Sequence, residues 1–190
     1  EISRKPVQVT ELEDSETIVT FSPLGGISRS DVPGVGTTIS TTLRSDVGLV
    51  LDDGRAIQVH VSDLPTMAIG SSAENDAADF LGLGSAVIGI LEWQTAKTYA
   101  LGTRSGVVKR IVGPLPDRHE VSLISLKDGD KLVGLAESKE DTQLVFVTDA
   151  ANSLVFDADS VRPQGLPATG MAGINAADSR VIFFGGGDKD

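Results

Sequence analysis

Four times along this 190-residue chain the same short pattern returns: an apolar strand, two or three small or polar residues, a turn, and a second strand. The copies read TIVTFSPLGGISR, GLVLDDGRAIQV, YALGTRSGVVKR and LVFVTDAANSLVF. Their turns fall at Gly25, Gly54, Gly106 and Ala151-Asn152. A tight hairpin turn needs positive φ, which glycine adopts freely and asparagine tolerates next best, so Asn152 is expected to carry the last turn. Pro33, Pro65, Pro116 and Pro163 follow the turns after 8, 11, 10 and 12 residues. Proline has no N–H to give a central ladder, so each marks the end of a hairpin and the start of a connection.

Further strand pairs are expected after three of these prolines, in DFLGLGSAVIGILEW, EVSLISLKDGDKLVGLAES and GMAGINAADSRVIFF. Asp128-Gly129 is expected to be a hairpin turn within the middle one. Turn spacings of 52 and 45 residues suit four-stranded propeller blades. The first spacing, 29 residues, is too short, so the first repeat is expected to lack its second strand pair, leaving GVGTTISTTLRSD in its place. One helical turn is expected near SSAENDAADF. The fold is thus predicted to be all-β, a propeller-like disc of four-stranded blades with roughly four repeats, the first truncated. Residues 1–16 are assigned to a leader or linker, 17–184 to the disc and 185–190 to a flexible end. The opening EISRKPVQVTELEDSE has neither an initiator Met nor a signal-peptide core and reads as cut from a longer polypeptide.

The chain has no cysteine, which excludes disulfides and thiolate metal or redox sites and fits a cytoplasmic setting. Its longest apolar runs, such as Ala86–Leu91, are far too short to span a bilayer, so no membrane partner is expected. A net charge of −11 and a pI near 4.5 argue against bulk attraction to nucleic acid. One window breaks that balance. From Lys97 to Arg118 five basic residues face one acid, a charge of +4, which leaves −15 for everything else.

Catalytic motifs are missing. His60 and His119 lie far apart, without the spacing of a zinc helix, and read as surface or turn residues. The acids from Asp128 to Asp141 lack the order of an EF-hand loop. Gly82, Gly84 and Gly89 do not form a dinucleotide fingerprint, and no P-loop occurs. The single tyrosine, Tyr99, begins an apolar strand and reads as a packing residue or a rim contact.

Two segments, LISLKDGDKLVG and DTQLVFVTDAANSLVFDADSVRPQGLPATGMAGI, resemble the C-terminal domain shared by the A subunits of DNA gyrase and topoisomerase IV. GTRSGVVKR resembles that family's recurring small-x-x-G-Φ-Φ-K-R strand pair. The likeness covers most of Thr17 to Phe184 and is strongest from Tyr99 onward. It implies a β-pinwheel, a disc whose blades exchange strands and whose basic rim bends duplex DNA for the catalytic core of a type II topoisomerase. It implies no catalysis in this segment; ATP and magnesium would serve the parent enzyme elsewhere. Implied partners are duplex DNA, through its phosphates, and the topoisomerase core with its ATPase subunit, in the cytoplasm on the nucleoid. The Q-[RK]-R-G-G-[RK]-G box of chirally wrapping gyrases does not occur, which makes the pattern topoisomerase IV-like.

On that likeness, Arg104, Lys109, Arg110 and Arg118 are the first candidates for phosphate contacts. Alternation along a strand sends Lys109 and Arg110 to opposite faces, so one is expected on the rim and one toward the next blade or a loop. Arg104 and Arg118 are expected on one side of the blade. Arg29 and Arg55, which follow comparable turns, are second-tier candidates, and Val161-Arg162-Pro163-Gln164-Gly165 resembles a blade connection whose arginine approaches DNA. Arg180 also lies near a strand end. Two alternatives stand beside this reading. The cations are surface ion pairs, or the acidic disc is a docking or autoinhibitory module on the topoisomerase core.

Overall fold

The computed structural model describes residues 13–67, 75–176 and 178–189; of the expected leader at 1–16, residues 1–12 lie outside them. The strands are β1 (Glu16–Phe21), β2 (Ile27–Ser30), β3 (Thr37–Thr42), β4 (Asp46–Leu51), β5 (Arg55–His60), β6 (Val87–Glu92), β7 (Thr98–Thr103) and β8 (Val107–Val112). They continue as β9 (Glu120–Ser122), β10 (Leu132–Glu137), β11 (Thr142–Thr148), β12 (Ser153–Asp157), β13 (Met171–Ala172) and β14 (Val181–Asp188). Four antiparallel sheets result, in the orders β2-β1-β3, β6-β4-β5-β9, β10-β7-β8-β13 and β12-β11-β14. We call them blades 1 to 4. One short helix, α1 (Ala77–Leu81), is capped by Asp76, whose carboxylate accepts from the N–H groups of Ala78 and Asp79.

All four expected hairpins form, one in each blade. Gly25, Gly54 and Gly106 take φ near +90°. In the fourth copy Ala151, not Asn152, takes the positive φ, at 59°, so the expectation for Asn152 fails by one residue. Ala151 aligns with the three glycines.

The later strands do not form hairpins with one another. β10 and β14 pair with the first strand of their neighbouring hairpin, β7 and β11, whereas β9 and β13 reach back to the preceding blade and pair with β5 and β8. Asp128-Gly129 therefore lies on a crossing between two blades and not in a hairpin. The physical reason is edge satisfaction: the second strand of each hairpin has an open row of N–H and C=O groups, and the downstream connection fills it. Asp79–Leu81, expected to open a strand pair, lie in α1. GVGTTISTTLRSD is not strandless either, because it supplies β3 to blade 1. The tail Gly185–Asp188 belongs to β14 and pairs with β11 instead of trailing free.

The core lies between blades. Val19, Ile27, Val47, Leu49 and Ile90 fill the joint of blades 1 and 2. Trp93, Tyr99, Leu101, Ile111 and Leu123 fill that of blades 2 and 3. Val108, Leu144, Phe146, Val161 and Phe184 fill that of blades 3 and 4. Each fully buried Leu, Ile or Phe contributes roughly 1.5–3 kcal/mol. Phe184 lies so close over Gly102 that a Cβ there would sit 2.1 Å from its ring.

Candidate nucleic-acid interface

The seven candidate cations separate into three environments. Lys109 and Arg110, in the middle of β8, are both buried, and the expectation that one of them lines a rim fails. Strand alternation does send them to opposite faces, but β8 is covered on both. The Lys109 ammonium donates to the carbonyls of Leu123 (2.8 Å), Leu166 (2.7 Å) and Ala168 (2.8 Å). It therefore ties the chain just after β9 to the chain just before β13. Burial pulls its pKa down to about 8, and three carbonyl acceptors match the three N–H groups of the protonated form. Arg110 donates to the carbonyls of Ala158 and Val161, 3.0 Å each, in the 3-10 turn that follows β12, and lies 3.4 Å from Asp159.

Arg29 and Arg55 are partly buried and engaged. Arg29 repeats the role of Arg110 two joints earlier, donating to the carbonyls of Leu64 (3.1 Å) and Ser62 (3.5 Å) at the 3-10 turn after β5. Arg55 bonds Asp53 through Nε and one terminal nitrogen, at 2.9 and 2.7 Å, and Glu120 of β9 through the other, at 2.9 Å. Partial burial raises the Asp53 carboxyl, but the hydrogen bonds from Arg55 outweigh it and hold the group below its ordinary range. Lys97, the first cation of the basic window, is paired with Glu92 at 2.7 Å. Much of the +4 window is thus internal wiring.

Arg104, Arg118 and Arg162 remain. Arg118 and Arg162 are exposed. Arg104 is half-buried, donates to the Gly129 carbonyl at 2.7 Å, and lines an open groove with Lys127 and Arg180. Ser105, Asn175 and Ser179 add polar walls. Asp130 also lines the groove and receives hydrogen bonds from the backbone N–H and hydroxyl of Ser105, which more than offset the effect of its burial and lower its pKa. Arg180 is 71% exposed and sits 3.5 Å from Asp149. Neither Arg118 nor Arg162 lines this groove, so Arg104 and Arg118 do not share it. Lys127 was missed by sequence reasoning; its signal was a position two residues before the positive-φ Gly129 of the crossing between blades.

Tyr99 is 6% exposed and its hydroxyl accepts from the Glu92 N–H, so it packs in the core; burial pushes its pKa up to about 12. Among the described residues no group of three His, Asp or Glu side chains converges to hold a metal, and no helix is long and apolar enough to cross a membrane.

Four small sheets joined by returned strands, with cations at their turns, define a β-propeller of the pinwheel kind. The family model of the DNA gyrase C-terminal domain, described as a β-propeller, matches residues 121–138 and 142–182. The DNA gyrase A subunit of Salmonella typhimurium is 28% identical over 102 residues, covering 52% of this chain and 12% of that protein. The corresponding gyrase polypeptide of Clostridium acetobutylicum is 33% identical over 91 residues, 46% of this chain and 11% of that one. The chain thus spans about an eighth of the length of these relatives. Among solved structures, the C-terminal domain of DNA topoisomerase IV superposes with a TM-score of 0.73 at 18% identity, over 95% of this chain and 63% of that one. The C-terminal domain of E. coli ParC gives 0.66 at 16%, over 90% and 78%. These likenesses show the fold, and the sequence matches make the chain similar, over part of its length, to the C-terminal region of the DNA gyrase A subunit.

Proposed function

We propose that this chain is a non-catalytic DNA-binding domain of a type II topoisomerase, bending duplex DNA and presenting it to the catalytic core. The observation that carries the reading is the ordered match over 121–182 to the gyrase domain, on a fold shared along nearly the whole chain. The contact surface is the groove of Arg104, Lys127 and Arg180, with Arg118 and Arg162 as outlying phosphate contacts. Such contacts position DNA without reading its sequence. ATP and magnesium would act in the parent enzyme, at sites outside this chain, in the cytoplasm.

The test is duplex binding by fluorescence anisotropy from about 20 to 200 mM salt. Five phosphate contacts give a log–log slope of about −4.5. Arg104→Gln/Lys127→Gln/Arg180→Gln should flatten it to about −1.8, while no binding at the lowest salt refutes DNA capture.

A second reading is favoured by one observation: four of the seven candidate cations are consumed inside the fold on a chain of −11. In that case the disc docks on the basic surface of the topoisomerase core. A complex with the core that duplex DNA displaces, in the absence of direct DNA binding, would select it.

A further inference from the structure

The sequence contains two Asp-Gly pairs, Asp53-Gly54 and Asp128-Gly129, and no Asn-Gly. In such a pair the glycine amide nitrogen, unshielded by a side chain, can attack the carbonyl carbon of the aspartyl carboxyl. A C–N bond forms, the amide proton and the carboxyl OH leave as water, and a cyclic succinimide results. Water then reopens the ring at either carbonyl. One opening restores aspartate; the other gives isoaspartate, in which the main chain runs through the former side-chain carbon. No other reactant is needed. The requirements are a carboxyl that can be protonated and turned, and a glycine N–H free of hydrogen bonds.

The fold treats the two pairs differently. At the blade 2 tip, Arg55 donates to one Asp53 oxygen from its backbone N–H at 3.2 Å, and to the other from Nε and a terminal nitrogen at 2.9 and 2.7 Å. Partial burial raises the Asp53 carboxyl, yet the bonds from Arg55 keep it below its ordinary range, so the protonated form is scarce. The Gly54 N–H donates to the Leu51 carbonyl at 3.1 Å, and the Gly54 carbonyl accepts from Leu123 at 2.8 Å. A Cβ on Gly54 would sit 3.0 Å from Ile124, so a neighbouring segment backs this turn.

Asp128-Gly129 lies on the crossing between blades 2 and 3. There the Asp130 N–H donates to the Lys127 carbonyl at 3.0 Å and Gly129 has φ 77°, which is a turn closed over two central residues with glycine at the second. Those residues, Asp128 and Gly129, are both exposed. Among the described residues no donor reaches the Asp128 carboxylate and no acceptor meets the Gly129 N–H. A Cβ on Gly129 would meet nothing within 4 Å, so this peptide can rotate toward the carboxyl without displacing a neighbour.

We infer that Asp128 is a site of spontaneous isomerisation to isoaspartate in the folded protein, and that the fold protects Asp53 from the same reaction. The consequence falls on the groove that Asp128 and Gly129 both line. Arg104 donates to the Gly129 carbonyl at 2.7 Å. Isoaspartate adds a carbon to the chain immediately before Gly129 and so moves the anchor of Arg104. The inference rests on the turn alone and holds whether or not the groove binds DNA.

The test is to age the 190-residue chain in warm buffer near neutral pH, digest it, and map it by electron-transfer fragmentation, which separates isoaspartate from aspartate. A parallel sample is aged in denaturant, where neither turn is held, and each pair is referred to its own rate there. Asp128 should convert in the folded chain about as fast as in denaturant. Asp53 should be slowed about tenfold or more, because hydrogen bonds from a charged donor must break first. Asp128→Glu should remove the signal at that position and leave Asp53 unchanged, and circular dichroism confirms that the aged chain stays folded. The inference is overturned if folded Asp128 stays unconverted over the time in which it converts in denaturant. It is equally overturned if folding slows Asp128 as much as Asp53.

Discussion

Lys109 offers the sharpest test of the internal wiring, because it was among the first candidates for a DNA contact and is instead enclosed. Consider Lys109→Met, which keeps most of the side-chain volume and removes the ammonium. The substitution frees three carbonyls, those of Leu123, Leu166 and Ala168. Hydrogen bonds from a charged donor contribute about 1.5–3 kcal/mol each. Against that stands the cost of keeping the charge buried. A fall from 10.5 to about 8 corresponds to about 3 kcal/mol, which methionine recovers. The lost bonds outweigh the recovered charge, leaving a destabilisation of about 3 kcal/mol. For a chain of this length that lowers Tm by roughly 6–12 °C. Calorimetry or thermal circular dichroism gives the shift, and duplex affinity measured well below Tm should match wild type. An unchanged Tm with weakened DNA binding would refute the reasoning, since only an exposed lysine behaves that way.

Three further outcomes are expected. The stability of wild type relative to Lys109→Met should rise between about pH 8 and pH 10.5: the folded lysine has released its proton in that window while the unfolded one retains it, so raising the pH favours the folded state. Denaturant titrations at pH 7.5 and 9.5 measure it. Arg110→Ala should cost about 2–4 kcal/mol by orphaning the Ala158 and Val161 carbonyls, and amide exchange should accelerate selectively at residues 158–161. Ala151→Gly should raise Tm by a few degrees, because glycine relieves about 1 kcal/mol of left-handed strain at φ 59°.

Much of the disc was legible in the sequence because hairpin turns are local. Glycine at a fixed place between two apolar runs announces Gly25, Gly54 and Gly106 without reference to anything distant. What escaped was non-local. Nothing in EVSLISLKDGDKLVGL says that Glu120–Ser122 will leave its own neighbours and pair with Arg55–Ile57, since either edge satisfies the same backbone groups. The charged pair Lys109-Arg110 was misplaced for a related reason. Its flanks, V-V before and I-V after, are apolar on both strand faces, which marks a strand covered on both sides, where charges survive only if carbonyls or acids meet them. Pattern distinguishes that case from a rim only when the flanks are read together with the cations. Lys127, conversely, looked like part of an ordinary polar turn, and only the fold brings it beside Arg104 and Arg180.

The returned strands have a consequence for how such a chain is made. Each turn carbonyl waits for a partner more than fifty residues further along: Gly25 for Ala77, Gly54 for Leu123, Gly106 for Gly173. During synthesis from the N-terminus a hairpin therefore emerges well before the segment that seals it. It is held meanwhile by only part of its final ladder, with an edge open to any passing strand. The unit that repeats in the gene and the unit that packs in the disc are out of phase. Excising one repeat would remove the heart of one blade and unseal the blade before it.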